Sequence, residues 1–440
     1  MTALAGDWTH RRADLLGTRF VRGALGDWKP KVAFHWKPAH GGRVDQVRLF
    51  GDTIVVVTMP PGPPGWTHAL VHLLDGRSGK EKAVRRLPDP APVGALAVGP
   101  RAIHVAVAGD SVAPHHYALD RETLRPLRRT ALPLVTSGLE DDVLDLWAPS
   151  DDRVAFEVEL GAERARRFGW VDLASRRGSL RPHEAGLAAG DRGGPPRDGA
   201  ISGEYLVVAM PSIEGPPVTP AALVRMGLGE VNEGNEHGRT SALPPEGAWV
   251  PSSLEEPCVA SAVVGGESSV TGAFASFAPE GANELVVEVQ TIDRATSVVR
   301  QRHEAPMGPA PARAFAGLRA VRTPAGQLLL QPVVAGGAAW GLALKLPSGA
   351  GAADGVLLGA RGTQLAFATE DAIVAFREKA AGVVTLTALD AGASGGLQGR
   401  RAKAQWAFDV PEMGDGVVAY AGVPGIVLRS TRGLTVVTAS

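Results

Sequence analysis

Cysteine is almost absent from this chain of 440 residues, and the long apolar runs that mark membrane proteins are missing as well. The single cysteine, Cys258, cannot form an intramolecular disulfide, which excludes a disulfide-stabilised fold and is typical of a reducing compartment. No run of 18 apolar residues occurs, so no transmembrane helix is predicted. The first 20 residues lack the apolar core of a secretory signal, and we therefore expect a cytoplasmic protein.

Charge of one sign is not in excess either. Lys and Arg number 45 and Asp and Glu number 46, which gives a formal net charge of -1. Nucleic-acid-binding domains usually carry a basic surplus, so we expect no nucleic-acid partner, and we expect no membrane insertion. Arginines cluster locally between residues 164 and 181, but they alternate with apolar residues, which is typical of the solvated edge of a sheet.

Motifs and residue pairs that would indicate a catalytic or metal site are also lacking. The chain contains no GxxxxGK[ST] phosphate loop and no HExxH zinc motif. The adjacent His115 and His116 point to opposite faces of a predicted strand, and His68 and His72 are roughly 13 Å apart at ~3.3 Å per residue, so neither pair predicts a metal site. Cys258 lies in an apolar strand and is interpreted as a buried core residue.

Repetition is the strongest feature that the sequence does contain. A turn residue followed by a run of Val, Ile and Leu recurs at intervals of about fifty residues, and we interpret each run as an inner strand of a sheet. Gly (55 residues) and Pro (34 residues) are abundant, as expected for many short strands joined by turns. The runs are GDTIVVVTM (51–59), GPRAIHVAVAG (99–109), SDDRVAFEVEL (150–160), SGEYLVVAM (202–210) and AGQLLLQPVV (325–334).

A second repeated element is an apolar segment that ends in an Asp-containing turn. An Asp side chain accepts hydrogen bonds from backbone N–H groups two residues further on, so we assign a structural role to the aspartates at these equivalent points. They are Asp75, Asp120, Asp293 and Asp390. A short basic strand comes next, as in EKAVRRLP (81–88), which is typical of an exposed outermost strand.

Four strands per repeat predict an all-β fold, a single β-propeller of about eight four-stranded blades, with seven blades as the alternative. The tail from Gly414 supplies three further strands, and VAFHWKP (32–38) is predicted to complete that last blade, so that N- and C-terminal strands close the ring. One domain, residues 1–440, is expected, with 1–30 as an N-terminal segment. The seven complete blades are predicted at residues 43–88, 93–131, 140–182, 198–243, 256–306, 316–360 and 363–410.

These repeats resemble those of the quinoprotein-like propellers, the family built from pyrroloquinoline-quinone repeats. The likeness lies in segments such as YALDRETLR (117–125), in the opening GDWTHRRADLLGTRF (6–20), and in outer strands that contain Trp36 and Trp406. In that family a Trp docks one blade onto the next. Val84, Leu127 and similar residues stand at the equivalent points of other blades, where the resemblance implies docking by aliphatic packing.

The dehydrogenases of that family use an adjacent Cys pair, a catalytic Asp, and Glu and Asn ligands for Ca²⁺. One cysteine excludes the pair, and no residue of this chain matches the catalytic Asp or the calcium ligands. The resemblance therefore implies a non-catalytic branch, and we expect no catalytic residue, no metal site and no cofactor.

We therefore expect a non-catalytic binding platform or scaffold for protein–protein interaction, a monomeric propeller within a larger complex with an unknown protein partner. Two tryptophans near prolines are candidate interaction residues, Trp66 in MPPGPPGWT (59–67) and Trp249 in the segment 232–253. The alternative for both indoles is packing over a blade core. The alternative functions are a quinoprotein-type oxidoreductase and an assembly scaffold of the periplasm or envelope.

Overall fold

The computed structural model of the protein consists of β-strands joined by turns. Among the residues that it describes there is no α-helix, and so none that is long and apolar enough to span a membrane. The strands form eight antiparallel sheets of four strands each. The residues described are 4–11, 13–14, 16–63, 67–109, 112–132, 142–160, 165–174, 177–181, 198–203, 205–210, 221–227, 249–254, 258–278, 281–296, 298–309, 315–334, 342–346, 354–379, 382–391, 404–411, 413 and 415–440.

The first strand of the chain, β1 (Pro30–Trp36), belongs to the last blade, and blades 1 to 4 follow it in chain order. Within each of these blades the four strands are neighbours in the order in which they occur in the sequence. Their bounds are β2 (Arg43–Phe50), β3 (Thr53–Met59), β4 (Leu70–Asp75), β5 (Glu81–Arg86), β6 (Val93–Val98), β7 (Ala102–Gly109), β8 (Val112–Asp120), β9 (Pro126–Ala131), β10 (Asp142–Ser150), β11 (Arg153–Leu160), β12 (Ala165–Asp172), β13 (Arg177–Arg181), β14 (Asp198–Ser202), β15 (Tyr205–Met210), β16 (Ala222–Gly227) and β17 (Trp249–Pro251).

Blades 5 to 7 have the same order, and blade 8 takes three strands from the C-terminal part of the chain. Their bounds are β18 (Cys258–Gly265), β19 (Ser269–Ala278), β20 (Gly281–Asp293), β21 (Val299–Pro309), β22 (Phe315–Arg322), β23 (Leu328–Val334), β24 (Leu342–Leu346), β25 (Asp354–Leu357), β26 (Thr363–Ala368), β27 (Ala372–Glu378), β28 (Val384–Asp390), β29 (Ala404–Val410), β30 (Val418–Gly422), β31 (Gly425–Ser430) and β32 (Gly433–Ala439).

The sheets follow one another around a central axis. The first strands of neighbouring blades contact each other from blade 1 to blade 3, from blade 4 to blade 8, and between blades 8 and 1. Blades 3 and 4 are joined by an apolar cluster in which Trp147 and Trp170 of blade 3 pack against Ile201 and Leu206 of blade 4. The eight sheets therefore form a closed ring with the first strands innermost and the fourth strands outermost.

Blade 8 is assembled from both terminal regions of the chain. Its sheet has the order β1-β32-β31-β30, and β1 pairs antiparallel with β32 from Pro30 opposite Ala439 to Trp36 opposite Leu434. The predicted all-β propeller and its closure by N- and C-terminal strands are confirmed, and the number of blades is eight. The closing strand begins and ends two residues before the predicted segment 32–38.

The core consists of apolar layers between neighbouring blades. Alternate residues of a strand point to opposite faces, so an inner strand such as β3 serves two layers at once. Val55 and Val57 pack toward blade 2, in a cluster that includes Ile103, whereas Ile54 and Val56 pack toward blade 8. Because both faces of each sheet are covered, the inner strands are apolar runs without polar alternation, as the repeated sequence pattern indicates.

Two details of the sequence-based prediction are wrong. Blade 4 ends at Pro251 and not at residue 243, because its short outermost strand β17 comes later in the chain. Val84 and Leu127 do not dock neighbouring blades, since they are 48% and 47% exposed. Blades diverge with distance from the axis, and only a larger side chain spans the outer gap. Trp36 does so, with its ring 5.4 Å from the ring of His72 in blade 1.

Deletion of residues 433–440 is expected to destabilise the whole ring. The deletion removes β32 with the buried side chains Leu434, Val436 and Val437 and leaves β1 without its pairing strand. Burial of each such side chain contributes ~1.5 to 3 kcal/mol, and the free energy of unfolding of a domain is ~5 to 15 kcal/mol. We expect aggregation or a much lower Tm in differential scanning calorimetry.

The variant Trp36→Ala should weaken the same seam by a smaller amount. Val423→Ser is the matched control, because Val423 lies in the same blade and is 40% exposed, and its Tm should stay close to that of the wild type. A truncated monomer with an unchanged melting curve would contradict closure through β1 and β32.

Candidate functional site

The described residues between 4 and 28 run along one end of the ring without forming a sheet of their own, and we call them the cap segment. Their backbone pairs with the innermost strands near the ends of those strands, so the segment follows the rim of the channel from blade to blade. At blade 3 the cap segment contributes a side chain and not its backbone: Nε2 of His10 accepts a hydrogen bond from the Ala148 N–H at 3.2 Å. The backbone hydrogen bonds join Trp8 to Leu49 (2.9 Å in both directions), Val98 to Thr9 (2.9 Å), Gly265 to Leu16 (2.7 Å), Arg322 to Thr18 (2.9 Å), Ala368 to Arg19 (3.0 Å) and Val21 to Ala368 (2.9 Å).

Trp8 anchors the start of the cap segment. Its side chain is 1% exposed and makes edge-to-face contacts with Phe367 of blade 7 at 6.1 Å and with Tyr420 of blade 8 at 5.5 Å between ring centroids. Its backbone pairs with Leu49 of blade 1. The indole therefore fills the junction of the last two blades with the first, where aromatic pairs add to the energy of burial.

Asp371 of blade 7 holds the end of the cap segment. Its carboxylate accepts hydrogen bonds from the N–H groups of Leu25 at 2.8 Å and Gly26 at 2.7 Å. Trp406, predicted as a blade-docking residue, donates its indole N–H to the carbonyl oxygen of Leu25 at 2.7 Å. A Cβ atom at position 26 would lie 2.9 Å from the Asp371 carboxylate, so glycine is required for this close approach.

Three guanidinium groups and one carboxylate gather beside the cap segment. Arg11 contacts Asp145 with 3.6 Å between Nη1 and Oδ2, and Arg48 lies close enough to Arg11, Asp145 and Arg429 for electrostatic interaction. Arg48 is only 4% exposed, and burial lowers its pKa to about 10 although Tyr420 and Asp145 favour its charge. A guanidinium group of this pKa stays protonated at neutral pH, so Arg48 is a fixed positive charge and not an acid–base group.

Buried neutral histidines lie beside this charged cluster. Burial, together with Arg48 and His104, lowers the pKa of His10 to about 3. His104 donates or accepts a hydrogen bond with His116 at 3.0 Å, and burial lowers the pKa of His104 to about 4 and that of His116 well below 6.5. These imidazoles are uncharged at neutral pH and serve as hydrogen-bonding core groups.

The described residues do not fit the metal and cysteine chemistry of the dehydrogenases. No group of three or more His, Cys, Asp or Glu side chains that could hold a metal ion occurs among them. Cys258 is 4% exposed, and burial raises the pKa of its thiol to about 12, which confirms the prediction of a buried core residue. Glu288 is fully buried, but it accepts hydrogen bonds from Ser252 and Ser253 and so has a structural role.

The predicted Asp turns are confirmed for Asp75, Asp120 and Asp293. In each turn one carboxylate oxygen accepts hydrogen bonds from the backbone N–H groups two and three residues further on and from a Ser or Thr hydroxyl. The hydrogen bonds from Ser78 lower the pKa of Asp75 to about 2. Asp390 is the last residue of β28, and most of the segment that follows it lies outside the described residues.

The two tryptophans predicted as interaction residues belong to different blades. Trp66 lies outside the described residues, between β3 and β4 of blade 1. Trp249 is the first residue of β17 in blade 4 and pairs with Val224. The prediction that Trp249 lies in a loop is therefore wrong.

Residues 392–396 match the hydrolase pattern GxSxG. That pattern requires a strand before it and a helix after it. The five residues lie outside the described part of the chain, so we assign them no role.

These strands and their order define a β-propeller fold. Solved quinoprotein structures are similar to it, among them two dehydrogenases. The europium-containing methanol dehydrogenase matches with a TM-score of 0.53 and 13% identity over 98% of this chain and 90% of that chain. The quinohemoprotein alcohol dehydrogenase from Comamonas testosteroni matches with a TM-score of 0.56 and 12% identity over 98% of this chain and 80% of that chain.

At this identity the likeness shows the fold alone. The WD40 domain of SCAP from fission yeast is a weaker match, with a TM-score of 0.45 and 9% identity over 94% of this chain and 98% of that chain. No protein-family model matches the chain, and no curated protein sequence matches it either.

Acidification is expected to destabilise the fold below pH 6.5. The unfolded chain binds protons at histidines with a pKa near 6.5, whereas native His10, His104 and His116 have lowered pKa values and stay neutral. The stability that these neutral groups contribute is complete above pH 6.5 and is lost as the pH falls toward 4. Each such histidine lowers the free energy of unfolding by about 1.4 kcal/mol per pH unit in this window.

Urea unfolding between pH 7.5 and 4.5 measures this dependence. The variant His10→Gln keeps an acceptor for the Ala148 N–H without a titratable group, so its stability should fall less steeply with acid than that of the wild type. Equal pH slopes for the two proteins would contradict the role given to His10.

Proposed function

We propose that the protein is a non-catalytic propeller that serves as a platform for protein–protein interaction. The observation that supports this most is the cap segment. Small-molecule sites are concave, and in a ring of blades the mouth of the channel is a natural place for one. Here the chain's own backbone follows the rim of one such mouth and bonds to the innermost strands there, while the outer strands and turns stay exposed.

The charges beside the cap segment support the same proposal. Arg48 of blade 1 is buried near Arg11 and Arg429, whose charges disfavour its own, and Asp145 of blade 3 contacts Arg11 and so links blade 3 to the cap segment. Arg429, for example, donates to the carbonyl oxygens of Val44 and Asp45 and so links blade 8 to blade 1. We further propose that the platform works inside the cell, where its one cysteine stays reduced.

A quinoprotein-type oxidoreductase is the second candidate, because two solved dehydrogenases share the fold. Against it stand the single cysteine of the chain and the missing cluster of metal-binding side chains in its described part. A propeller fold is compatible with many functions, so the site decides between the two candidates.

Calorimetric titration with pyrroloquinoline quinone and Ca²⁺ tests the choice. We expect no heat of binding and no change in Tm, because the residues that would hold the quinone and the calcium ion are missing. Binding at micromolar concentration or tighter would make the oxidoreductase the better proposal. EDTA treatment of the purified protein should also leave its melting curve unchanged.

Replacement of the two tryptophans tests the platform more directly. We expect Trp66→Ala and Trp249→Ala to reduce the amount of partner that co-purifies from native lysate and to change Tm little, because interface tryptophans contribute to binding more than their number suggests. Trp406→Ala is the control, since its indole bonds to Leu25 and the variant should lose stability. A large loss of stability with unchanged partner retention would show that Trp66 and Trp249 are core residues.

A further inference from the structure

The charges on the outermost strands are segregated around the ring. Blades 8, 1, 2 and 3 are consecutive, and we call their outermost strands β1, β5, β9 and β13 the basic wall. On the outermost strands of the other four blades the charges are mixed, with Arg300, Arg302, Glu304, Asp354 and Asp409. The basic wall has Glu81 as its one acidic residue and carries Lys31, Lys82, Arg85, Arg86, Arg128, Arg129, Arg177 and Arg181.

Blade 1 presents two basic side chains of the wall that form no ion pair with a described residue, whereas Lys82 of the same strand lies 3.6 Å from Asp52 and 3.5 Å from Asp75. On blade 2, Arg128 lies 3.8 Å from Asp152 and Arg129 lies 3.1 Å from Asp89. Arg85 and Arg86 of β5 are exposed, and no acidic side chain in the described part of the chain forms an ion pair with them. Because adjacent strand residues point to opposite faces, these two guanidinium groups stand on the two sides of the strand.

Protection of the edge against aggregation does not account for this pattern. Charge of either sign on an edge strand prevents unwanted pairing, so protection alone gives no reason for one sign to fill half of the ring. The sheet order β2-β3-β4-β5 leaves the outer edge of β5 without a pairing strand among the described residues. An edge with one sign of charge repels a second copy of itself and accepts a strand of the opposite sign.

Aliphatic side chains on the basic wall indicate which kind of polyanion it fits. Val84 of β5 and Leu127 of β9 are 48% and 47% exposed, and they are two of the five exposed large hydrophobic residues in the described part of the chain. None of those five is aromatic, whereas proteins that bind single-stranded nucleic acid stack bases on aromatic rings. The wall is convex, so a flat bilayer would touch only a small part of it. Arginine next to exposed valine therefore favours a protein segment.

We propose that a protein partner binds through an acidic, extended segment that lies along β5 as an added strand. Main-chain hydrogen bonds to the free edge give affinity in this mode, and side chains give specificity. Carboxylates at two adjacent positions of the segment face Arg85 and Arg86 on the two sides of the strand, and an apolar side chain next to them covers Val84. The proposal rests on the proposed function, since it names the surface and the chemistry of the partner of the same platform.

Fluorescence anisotropy with a synthetic Glu-Glu-Val-Thr repeat peptide tests the proposal, because its two adjacent glutamates point to opposite faces of an extended strand. We expect saturable binding by the wild type, and a loss of about tenfold or more in affinity for Arg85→Glu/Arg86→Glu, since like charges now face each other. The matched control is Arg361→Glu/Arg432→Glu, which changes the net charge equally at two exposed residues outside the outermost strands and should bind like the wild type. Circular dichroism melting shows that both variants fold.

Three further probes give outcomes that support or overturn the proposal. A peptide with Gln in place of Glu, single-stranded oligothymidylate, and vesicles of phosphatidylserine and phosphatidylcholine should all bind more weakly than the acidic peptide. Val84→Ser should weaken binding of the acidic peptide while leaving Tm unchanged, because Val84 is half exposed. Equal binding of the oligonucleotide or the vesicles, or an unchanged affinity of Arg85→Glu/Arg86→Glu, would overturn it.

Partner retention from native lysate shows whether the proposed binding surface on β5 is wrong or whether the proposed platform function is wrong. A protein that co-purifies with the wild type and the control variant but not with Arg85→Glu/Arg86→Glu supports the surface. Equal retention by all three proteins overturns the surface and leaves the platform in place. Absence of any retained protein with the wild type counts against the platform itself.

Discussion

The pairing of β1 with β32 is the interaction on which the other contacts of this propeller depend. Each blade is stable because both faces of its sheet are covered by neighbours, and an open seam would leave one face of blade 8 and one of blade 1 without cover. The largest apolar cluster spans blades 7, 8 and 1 and includes residues of the cap segment. Because the cap segment leads directly into β1, the pairing also fixes the end of that segment against the ring.

The repeat pattern was enough to predict most of the fold. Blades with long apolar inner runs, such as 93–131, have nearly the predicted bounds because burial on both faces leaves a clear signal. The Asp turns were predictable because their hydrogen bonds are local. By contrast, β17 has three residues and carries no periodicity, and the exposure of Val84 follows from the divergence of blades, which no local pattern records.

The candidate site could be predicted far less well, for a physical reason. The cap segment bonds to strands of six blades, most of them far away in sequence, so neither alternation nor helical spacing marks its residues. Its tryptophan in the opening GDWTHRRADLLGTRF was part of a family likeness but pointed to no role. The composition gave no indication of the basic wall, because 45 basic and 46 acidic residues balance over the whole chain. The excess of basic residues on four neighbouring outermost strands becomes visible only when the blades are arranged in the ring.

The closure of blade 8 also sets an order for biosynthesis. His35 of β1 donates or accepts a hydrogen bond with Thr435 of β32, a residue made 400 positions later. At a translation rate of ~5 to 20 residues per second, β1 leaves the ribosome roughly 20 to 80 seconds before its pairing strand exists. During that interval Phe34 and Trp36 lack the core cluster against which they pack in the ring. The ring thus cannot be completed before β32 has been made.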